Sequence, residues 1–496
     1  MAQSSVSGQP SDKTDFIAYA LLAAIFIARM IYVNFMGLVG DEAYYWDWSR
    51  SPAWGYFDHP PMAAWLIFLG THIFGTTLLG VKFMAVAGCC AASLFTYFLA
   101  KKYVKRTSSI VILLVLSSFI ILFGIGGLIA TPDIPMVLFW SVALYAAYKA
   151  IFENRPWAWL LLGLSMGCGL LSKYLFGLFI ISLFVFLVCS KEHRRILLSG
   201  RFIGALTVAA LMIVPNLYWN SRHQWISVMY QMHHGVGGEA FPRFDFLGEF
   251  FGGQIGMLSI FPFILLVISI VKELRFHGKN PKRLFISVFC LTPLIFFTLS
   301  SLQKRVEPNW PCGAYVSGLM LIAFLWEETV NKGLRRFILF STGMACAATV
   351  IILIHVQSPI LPLASGNDPT NQLRGWKQWA MSIDSVRKNI DPNAGMPLCT
   401  KFYQEAAFLS FYLPDHPITH ALSVNSRPSQ YSLLESSAGI YGKKAIIIIP
   451  CADSLLPPEF SSRVENPAYV GLSRRPLGGE RSNLYGVFTA IVKPQP

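Results

Sequence analysis

The sequence has few charged residues and is unusually apolar. Asp, Glu, Lys and Arg make up 13% of its 496 residues, and hydrophobic residues make up 54%, whereas about a quarter of the residues in ordinary soluble domains are charged. The mean hydropathy is +0.51, and several apolar runs reach or approach the roughly 20 residues that cross a bilayer. This composition excludes an ordinary soluble protein and predicts a polytopic α-helical membrane protein.

Acidic residues are scarcer than basic ones, 26 against 40, which gives a formal net charge of +14. With a cytoplasmic N-terminus, the eleven predicted spans are residues 16–37, 78–99, 108–124, 133–152, 157–171, 174–190, 202–219, 250–271, 284–300, 312–328 and 335–356. The cytoplasmic tail and turns then hold 19 basic residues, against seven in or near the opposite loops. Among the 19 are Lys101, Lys102, Arg194, Arg195, Lys282, Arg283, Arg335 and Arg336. This is the positive-inside pattern of membrane proteins, so we expect no nucleic-acid partner.

Cysteine patterns typical of metal sites are also lacking. The nine cysteines are scattered, and most lie in predicted spans, where a buried Cys is usually a small apolar residue. Cys399 and Cys451 follow the last span and could pair, a question that the sequence leaves open.

The two ends of the chain are its polar parts. Residues 1–15 are expected to be a disordered cytoplasmic tail, and the apolar run that follows lacks a small-residue cleavage site, so the first span is expected to remain. Residues 357–496 are predicted to form a small periplasmic α/β domain, with a helix in 371–390 and a strand, helix and strand in PLCTKF, EAAFLSFYL and KKAIIIIP. Because no nucleophile motif or Gly-rich phosphate loop stands out there, a lid or docking module is the favoured interpretation.

Carboxylates and aromatic residues cluster directly after the first span, in GDEAYYWDWSRSPAWGYFDHPP, residues 40–61. Asp41, Glu42, Asp47 and Asp58 have only Arg50 between them. An interfacial belt explains the aromatic residues, and a solvated surface is the structural explanation of the acids. The orientation places this segment, the start of an outer loop at 40–77, on the same side as the C-terminal domain.

Further ionisable residues lie on that side or within the spans. Asp133 opens the fourth span in TPD, where it could cap the helix or take part in chemistry. Basic residues lie between spans five and six and in the outer loops 220–249 and 301–311: Lys173, Arg222, Arg243, Lys304 and Arg305. Snorkelling anchors are the structural alternative for these. Arg29, within the first span, must face the protein interior or a wet cavity.

Carboxylates can take a proton from a hydroxyl group, and Lys and Arg can hold a phosphate as it becomes a leaving group. The two kinds of residue together predict transfer between phosphate-bearing lipids at the outer face. A divalent cation is compatible with Asp58, Asp133 and His233, although their spacing does not demand one.

Five motifs carry a resemblance over residues 16–356: the acid pair after the first span, YFDHPP, TPD, SKY and EPNWP. In this order they resemble the bacterial GT-C membrane glycosyltransferases of the ArnT-like and protein mannosyltransferase-like family. The resemblance implies a GT-C-like transmembrane catalytic domain, a polyprenyl-phosphate sugar donor, a lipid or glycan acceptor at the outer leaflet among membrane lipids, and inversion at the anomeric carbon. It also implies a multi-pass protein of the bacterial inner membrane whose active site faces the periplasm.

The family's first-loop acid is similar in place to Asp41, with Glu42 beside it, its second acid to Asp133, and its span-five lysine to Lys173. Asp41 is therefore our candidate general base. The candidate substrate-binding residues are Tyr44, Tyr45, Asp58, His59, Lys173, Arg243, Lys304, Arg305, Glu307 and Asn309. The pair Asp58-His59 departs from the Glu-Lys usual in aminoarabinose transferases and is closer to protein O-mannosyltransferases.

Two other functions stay open. Protein O-mannosyl transfer agrees with the His-Pro-Pro motif. A lipid or sugar transporter or flippase would place polar residues near the bilayer midplane within internal repeats, and neither feature is evident.

Overall fold

The structure, a computed structural model, describes residues 12–235, 241–424, 427–435, 439–451, 454–478 and 481–494. Its helices are α1 (Asp12–Tyr32), α2 (Gly40–Ser49), α3 (Met62–Phe74), α4 (Leu78–Ala100), α5 (Thr107–Phe119), α6 (Ile121–Gly124), α7 (Asp133–Ile151), α8 (Pro156–Ser172), α9 (Gly177–Cys189), α10 (Gly200–Arg222), α11 (Ile226–Gly235), α12 (Phe244–Leu258), α13 (Ile260–Phe276), α14 (Pro281–Ser300), α15 (Cys312–Glu328), α16 (Lys332–Gln357), α17 (Trp376–Ile390), α18 (Tyr403–Tyr412) and α19 (Gln430–Glu435). The strands are β1 (Leu398–Thr400), β2 (Thr419–Ala421), β3 (Lys444–Pro450), β4 (Val464–Gly478) and β5 (Arg481–Val492).

The chain divides into two compact units, each of which is described by itself. The helical unit consists of the residues up to Ile31, His59–Ala63 and Lys82–Ile352. The mixed unit consists of Tyr32–Asp58, Ala64–Val81 and the residues from Leu353 onward, so it contains α2, most of α3, and all five strands. The predicted domain boundary at residue 356 stays a prediction.

Each predicted span falls on a helix or a pair of helices. Within the described residues, six helices are long and apolar enough to cross a membrane, namely α1, α4, α7, α10, α14 and α16. The number is eight if each of two bent helix pairs counts as one span. The polytopic helical prediction is confirmed at this level. Of the predicted disordered tail, residues 1–11 lie outside the described residues, and residues 12–15 form the first turn of α1.

Two spans predicted as continuous helices are broken. The span at 250–271 falls on α12 and α13, which meet at 106°, with Ser259 at φ 68° between them. The span at 108–124 breaks after α5, where Ile120 is extended, and the chain turns by 66°. Hydropathy did not indicate either break, because the residues on both sides remain apolar.

Arg29 stabilises the second of these breaks. A break within a span leaves carbonyl groups without helical partners, which is costly away from water. The buried Arg29 guanidinium donates to the carbonyl oxygens of Ser118 and Phe123, at 2.8 and 2.9 Å, and to Cys89 Sγ at 3.0 Å. The sequence correctly placed Arg29 in the protein interior, and the structure shows that it caps a broken helix.

The mixed unit contains a five-stranded sheet in the order β2-β1-β3-β5-β4. Strand β1 is parallel to β2 and β3, and β5 is antiparallel to β3 and β4. The interior of β3 is buried without alternation, as expected of a central strand covered on both faces. The predicted strand, helix and strand are confirmed as β1, α18 and β3, and the β4–β5 hairpin was not predicted. Cys399 is buried in the core of this unit, and Cys451 packs against that core.

Helix α2 is anchored on α18 within this unit. Asp47 accepts a hydrogen bond from Ser410 Oγ at 3.1 Å and one from the Tyr431 hydroxyl at 2.7 Å, and Arg50 donates to Ser410 Oγ at 2.6 Å. A Cβ at Gly37 would collide with the carbonyl oxygen of Leu373, so only glycine permits this close approach. The acidic segment after the first span is therefore part of a folded core that includes the C-terminal domain.

Glu405, in the first turn of α18, provides a prediction about stability. Its carboxylate accepts the Phe402 N–H at 3.3 Å, and burial raises its pKa from 4.5 to about 8. A raised pKa means that the folded state binds the proton more tightly, so stability falls as the pH rises from about 4.5 to about 8, by up to about 1.4 kcal/mol per pH unit. We expect Glu405→Gln to unfold at a higher temperature than the wild type by a margin that grows over this range. Thermal unfolding of both proteins in detergent at several pH values measures this difference in unfolding temperature. A difference that does not change with pH would contradict a raised pKa of Glu405.

Candidate active site

The two acidic residues in the first turn of helix α2, Asp41 and Glu42, differ in how deeply they are buried. Its aromatic residues Tyr44, Tyr45 and Trp48 are buried in the mixed unit, so they form part of a folded core. Glu42 is fully buried, and its carboxylate caps the helix by accepting the Val39 N–H at 3.0 Å. Asp41 is only half-buried. Of the predicted acid pair, Asp41 is thus the more accessible carboxylate.

Asp41 is held by a residue of the C-terminal domain. Its Oδ1 accepts a hydrogen bond from the hydroxyl of Tyr403 at 2.9 Å. Arg427 donates to that same hydroxyl oxygen at 2.7 Å, which directs the single phenolic proton toward Asp41. Burial, and next the charge of Asp41, raise the pKa of Tyr403, so the phenol stays protonated. In the described part of the chain, Asp41 Oδ2 has no hydrogen-bond donor.

Asp58 occupies the other end of the same network. It is buried, accepts a hydrogen bond from the Tyr44 hydroxyl at 2.8 Å and forms an ion pair with Arg427. The Tyr44 oxygen in turn accepts the backbone N–H of Gln430 at 2.5 Å. Burial raises the pKa of Asp58, and Arg427 opposes that shift. Arg427 therefore links Asp58, through Tyr403, to Asp41, and we call these four residues with Tyr44 the acid network.

A cleft of about 380 Å³ lies beside the acid network in the mixed unit. Its lining includes Tyr44 of the network and the residues Asp47, Trp48, Arg50, Tyr56, His420 and Tyr431. Aromatic faces combined with polar side chains are typical of pockets that orient a small polar ligand.

In the helical unit, a second cluster surrounds Asp133, the first residue of α7. Lys173, which ends α8 and is 5% exposed, places Nζ 2.6 Å from Asp133 Oδ1. Asn309 donates to Oδ2 at 2.7 Å, and Cys312 Sγ lies 3.8 Å from Oδ1. The TPD, SKY and EPNWP motifs therefore meet at one carboxylate.

Comparisons with known proteins agree with the resemblance that these motifs indicate. The model of the dolichyl-phosphate-mannose-protein mannosyltransferase family matches residues 58–219. A lipid A galacturonosyltransferase, RgtD, from Rhizobium johnstonii is 26% identical over 345 residues, which cover 67% of this chain and 70% of that protein. An undecaprenyl phosphate-alpha-4-amino-4-deoxy-L-arabinose arabinosyl transferase from Erwinia tasmaniensis is 24% identical over 318 residues. That match covers 60% of this chain and 55% of the relative, so it spans about half the relative's length.

Among solved structures, ArnT from Cupriavidus metallidurans in the apo state matches with a TM-score of 0.66 at 13% identity, over 97% of this chain and 98% of that one. The same enzyme bound to undecaprenyl phosphate also matches with a TM-score of 0.66. At 13% identity the structural likeness shows the fold alone. The similarity to glycosyltransferases is carried by the sequence relatives. In sequence the chain resembles these bacterial glycosyltransferases, and it has the fold of ArnT.

Two members of the acid network in this ArnT-like enzyme were missed by the sequence analysis. Tyr403 and Arg427 lie 362 and 369 residues from the acids that they contact. Arg427 is a lone basic residue in a Pro- and Ser-containing stretch, and Tyr403 opens an apolar helix, so neither has a distinctive local pattern. The interpretation of the C-terminal domain as only a lid or docking module was incomplete, because it supplies both residues.

The other candidate substrate-binding residues of this ArnT-like enzyme are dispersed in the helical unit. His59 Nδ1 lies 3.3 Å from Gln231 Nε2. Arg243 donates two hydrogen bonds to the carboxylate of Asp245, at 2.9 and 2.7 Å. The Arg305 side chain is 71% exposed and forms an ion pair with Glu249 at 3.0 Å. Lys304 is half-buried and Glu307 is exposed. The side chain of His233 lies outside the described residues.

A resident cation gains little support from the geometry of the predicted ligands. Asp58 and Asp133 each have a basic partner, Arg427 and Lys173. Within the described residues, one other group, Glu273, His277 and Glu328, could hold an ion. Lys272 lies 2.9 Å from Glu328 and Arg283 pairs with both glutamates, so protein cations already balance the two carboxylates.

Proposed function

We propose that this enzyme transfers a sugar from a polyprenyl-phosphate donor to a lipid A, core-oligosaccharide or other envelope acceptor, with inversion at the anomeric carbon. The names of the two relatives support the substrate classes, since one is a lipid A galacturonosyltransferase and the other uses an undecaprenyl phosphate-linked sugar. The likeness to ArnT bound to undecaprenyl phosphate adds support for the lipid donor.

The observation that carries the proposal is the geometry of Asp41. Tyr403 fixes one carboxylate oxygen, and the other has no donor among the described residues. A carboxylate that is held on one side and open on the other is suited to general base catalysis. Asp41 would accept the proton of the acceptor hydroxyl as that oxygen bonds to the anomeric carbon. The bond from that carbon to the phosphate oxygen breaks, and polyprenyl phosphate leaves.

The leaving phosphate needs cationic partners, for which we propose Lys173, Arg243, Lys304 and Arg305. The ion pairs of Arg243 and Arg305 are largely exposed at their acidic partners, and such pairs contribute little free energy, so a phosphate can replace the carboxylate there. The Lys173–Asp133 pair is buried at the lysine and 15% exposed at the aspartate side chain, so Lys173 exchanges its partner less readily. Arg243 and Arg305 are therefore the better candidates for direct phosphate contact.

Protein O-mannosyl transfer is the second candidate function. It is favoured by the match of the dolichyl-phosphate-mannose-protein mannosyltransferase model, which begins at Asp58, directly before His59 and the two prolines. The deciding experiment incubates purified enzyme with labelled undecaprenyl-phosphate sugars in the presence of lipid A or of protein acceptors. Label in lipid A supports the first proposal, and label in protein supports the second. Movement of intact donor between leaflets without transfer would indicate a flippase and contradict both.

The proposed reaction requires the mixed unit to lie outside the cytoplasm. We propose eleven spans and a periplasmic active site, supported by the distribution of basic residues. Alkaline phosphatase, which is active only in the periplasm, should be active when fused after Ser358 and inactive when fused after Lys105. Alkaline phosphatase activity in whole cells, normalised to the amount of fusion protein, is the measurement. The opposite pattern of activity would reject the orientation.

A further inference from the structure

A second cleft in the mixed unit contains a buried arginine that the proposed reaction does not use. The cleft has a volume of about 670 Å³, which is within the range of small-molecule sites. Arg475 of β4 and Glu405 of α18 line it, together with Trp376 at the start of α17. The Arg475 residue is 6% exposed.

The strand pattern explains how Arg475 comes to face the cleft. Along β4, Ser473, Arg475 and Leu477 are buried, whereas Arg474 and Pro476 are exposed, which is the alternation of a strand with one covered face. Asn483 of β5 is the direct cross-strand partner of Arg475, so both side chains project from the same face. Asn483 also lines the cleft.

The guanidinium group of Arg475 packs on an aromatic ring, and none of the described residues provides it with a hydrogen-bond acceptor. Its Cζ lies 3.8 Å from the centroid of the Trp376 ring, which itself stacks on Phe408 at 3.9 Å. In the described part of the chain, the buried Nε has no hydrogen-bond partner, and no acceptor is found for the other guanidinium nitrogens. A buried cation without acceptors is unfavourable unless a ligand supplies them.

The surroundings of Arg475 indicate what such a ligand contains. A planar guanidinium that is held in place binds carboxylate or phosphate groups through two parallel hydrogen bonds. The cleft is also lined by the amide side chains of Asn367, Asn371, Gln372, Gln404 and Asn483. Amides both donate and accept hydrogen bonds, which matches the hydroxyl groups of a sugar. Burial raises the pKa of Glu405 to about 8, so near neutral pH its carboxyl group adds no strong repulsion. Asp368 also lines the cleft, but its carboxylate is paired with Arg374 at 3.0 Å.

We propose that this cleft is a binding site for an anionic saccharide, with the carboxylate or phosphate of the sugar on Arg475 and its hydroxyls on the surrounding amides. The site is separate in its residues from the acid network. Its ligand is recognised by that shared chemistry, whether the sugar is free or part of a lipid headgroup.

Calorimetric titration of the full-length protein in detergent tests the proposal without any glycosyl transfer. The probes are glucuronate, glucose 1-phosphate, uncharged glucose and inorganic phosphate. We expect the two anionic sugars to bind and glucose to bind much more weakly. Arg475→Met should weaken the anionic sugars by about tenfold to a hundredfold, whereas Arg474→Met, which removes the same charge from the exposed face, should bind as the wild type does.

Arg475→Lys keeps the charge but loses the planar fork, and it serves if the methionine variant does not fold. It should also weaken binding by about tenfold. Lipid vesicles that carry a glucuronosyl or phosphoglycosyl headgroup, titrated in parallel, distinguish a lipid-linked ligand from a free one. Equal affinity of the wild type and both Arg475 variants, or no binding of either anionic sugar, would overturn the proposal. Inorganic phosphate that binds as tightly as glucose 1-phosphate would also overturn it, because the saccharide would then contribute nothing.

Discussion

Replacing Asp41 by asparagine is expected to lower turnover by about 10²–10⁴-fold, with little change in donor binding. Asparagine has the same size and can still accept the hydrogen bond from the Tyr403 hydroxyl, but it cannot take a proton from the acceptor. General base catalysis contributes an effect of this order. The rate of sugar transfer from a labelled polyprenyl-phosphate donor, normalised to folded protein, is the measurement.

Two further variants separate basicity from folding. Tyr403→Phe leaves the carboxylate but removes the hydroxyl that orients it, so a smaller loss of about tenfold in turnover is expected. Glu465→Gln removes an exposed carboxylate of β4 and should leave turnover unchanged. Asp47→Asn is a poor control because Asp47 anchors α2 to Ser410 and Tyr431. Wild-type turnover in Asp41→Asn would exclude Asp41 as the base.

Replacing Lys173 by methionine is expected to destabilise the helical unit by about 3–5 kcal/mol. The substitution removes the cation from a largely buried pair, and among the described residues it leaves the carboxylate of Asp133 with Asn309 and Cys312 as its partners. An uncompensated charge in a largely buried position is the physical cause. Yield and unfolding temperature in detergent measure the loss. Lys191→Met, which removes an exposed basic residue, is the matched control and should be neutral.

A double variant decides between a structural and a chemical role for Lys173. Adding Asp133→Asn to Lys173→Met removes the stranded charge and should restore most of the folded protein. If the restored protein transfers sugar at the wild-type rate, the pair serves only to hold α7 and α8 together. A remaining loss of about tenfold to a hundredfold in catalytic efficiency is expected for a contact with the donor phosphate. A double variant as unstable as Lys173→Met would show that the unpaired charge of Asp133 does not cause the loss of stability.

The helices were predictable from the sequence because the apolar runs match the thickness of a bilayer. The breaks at Ile120 and Ser259 were not, since they depend on residues distant in the chain, such as Arg29, that satisfy the exposed backbone groups. The TPD, SKY and EPNWP motifs indicated a shared site, and the structure brings Asp133, Lys173 and Asn309 together.

The acid network could be predicted only in part. Asp41 and Asp58 were evident because they belong to a cluster of four carboxylates, directly after the first span, that contains Arg50 as its one basic residue. Their partners Tyr403 and Arg427 come from a domain in which no local pattern distinguishes them from ordinary surface or core residues. Pairings across more than 350 residues follow from tertiary packing, which single-sequence periodicity does not encode.

The contact between Arg29 and the broken helix has a consequence for biosynthesis. Arg29 enters the bilayer with the first span, but the carbonyl groups that receive its hydrogen bonds belong to residues 89 and 94 positions later. An arginine at the centre of a span costs about 2.5–3.5 kcal/mol on insertion scales, and Arg29, in the last turn of α1, carries a smaller cost of the same kind. The nascent chain therefore carries this penalty while the second predicted span inserts, and the third span relieves it as it bends. A ribosome-bound intermediate that ends before Ser118 should be more easily extracted from the membrane than one that extends beyond Phe123.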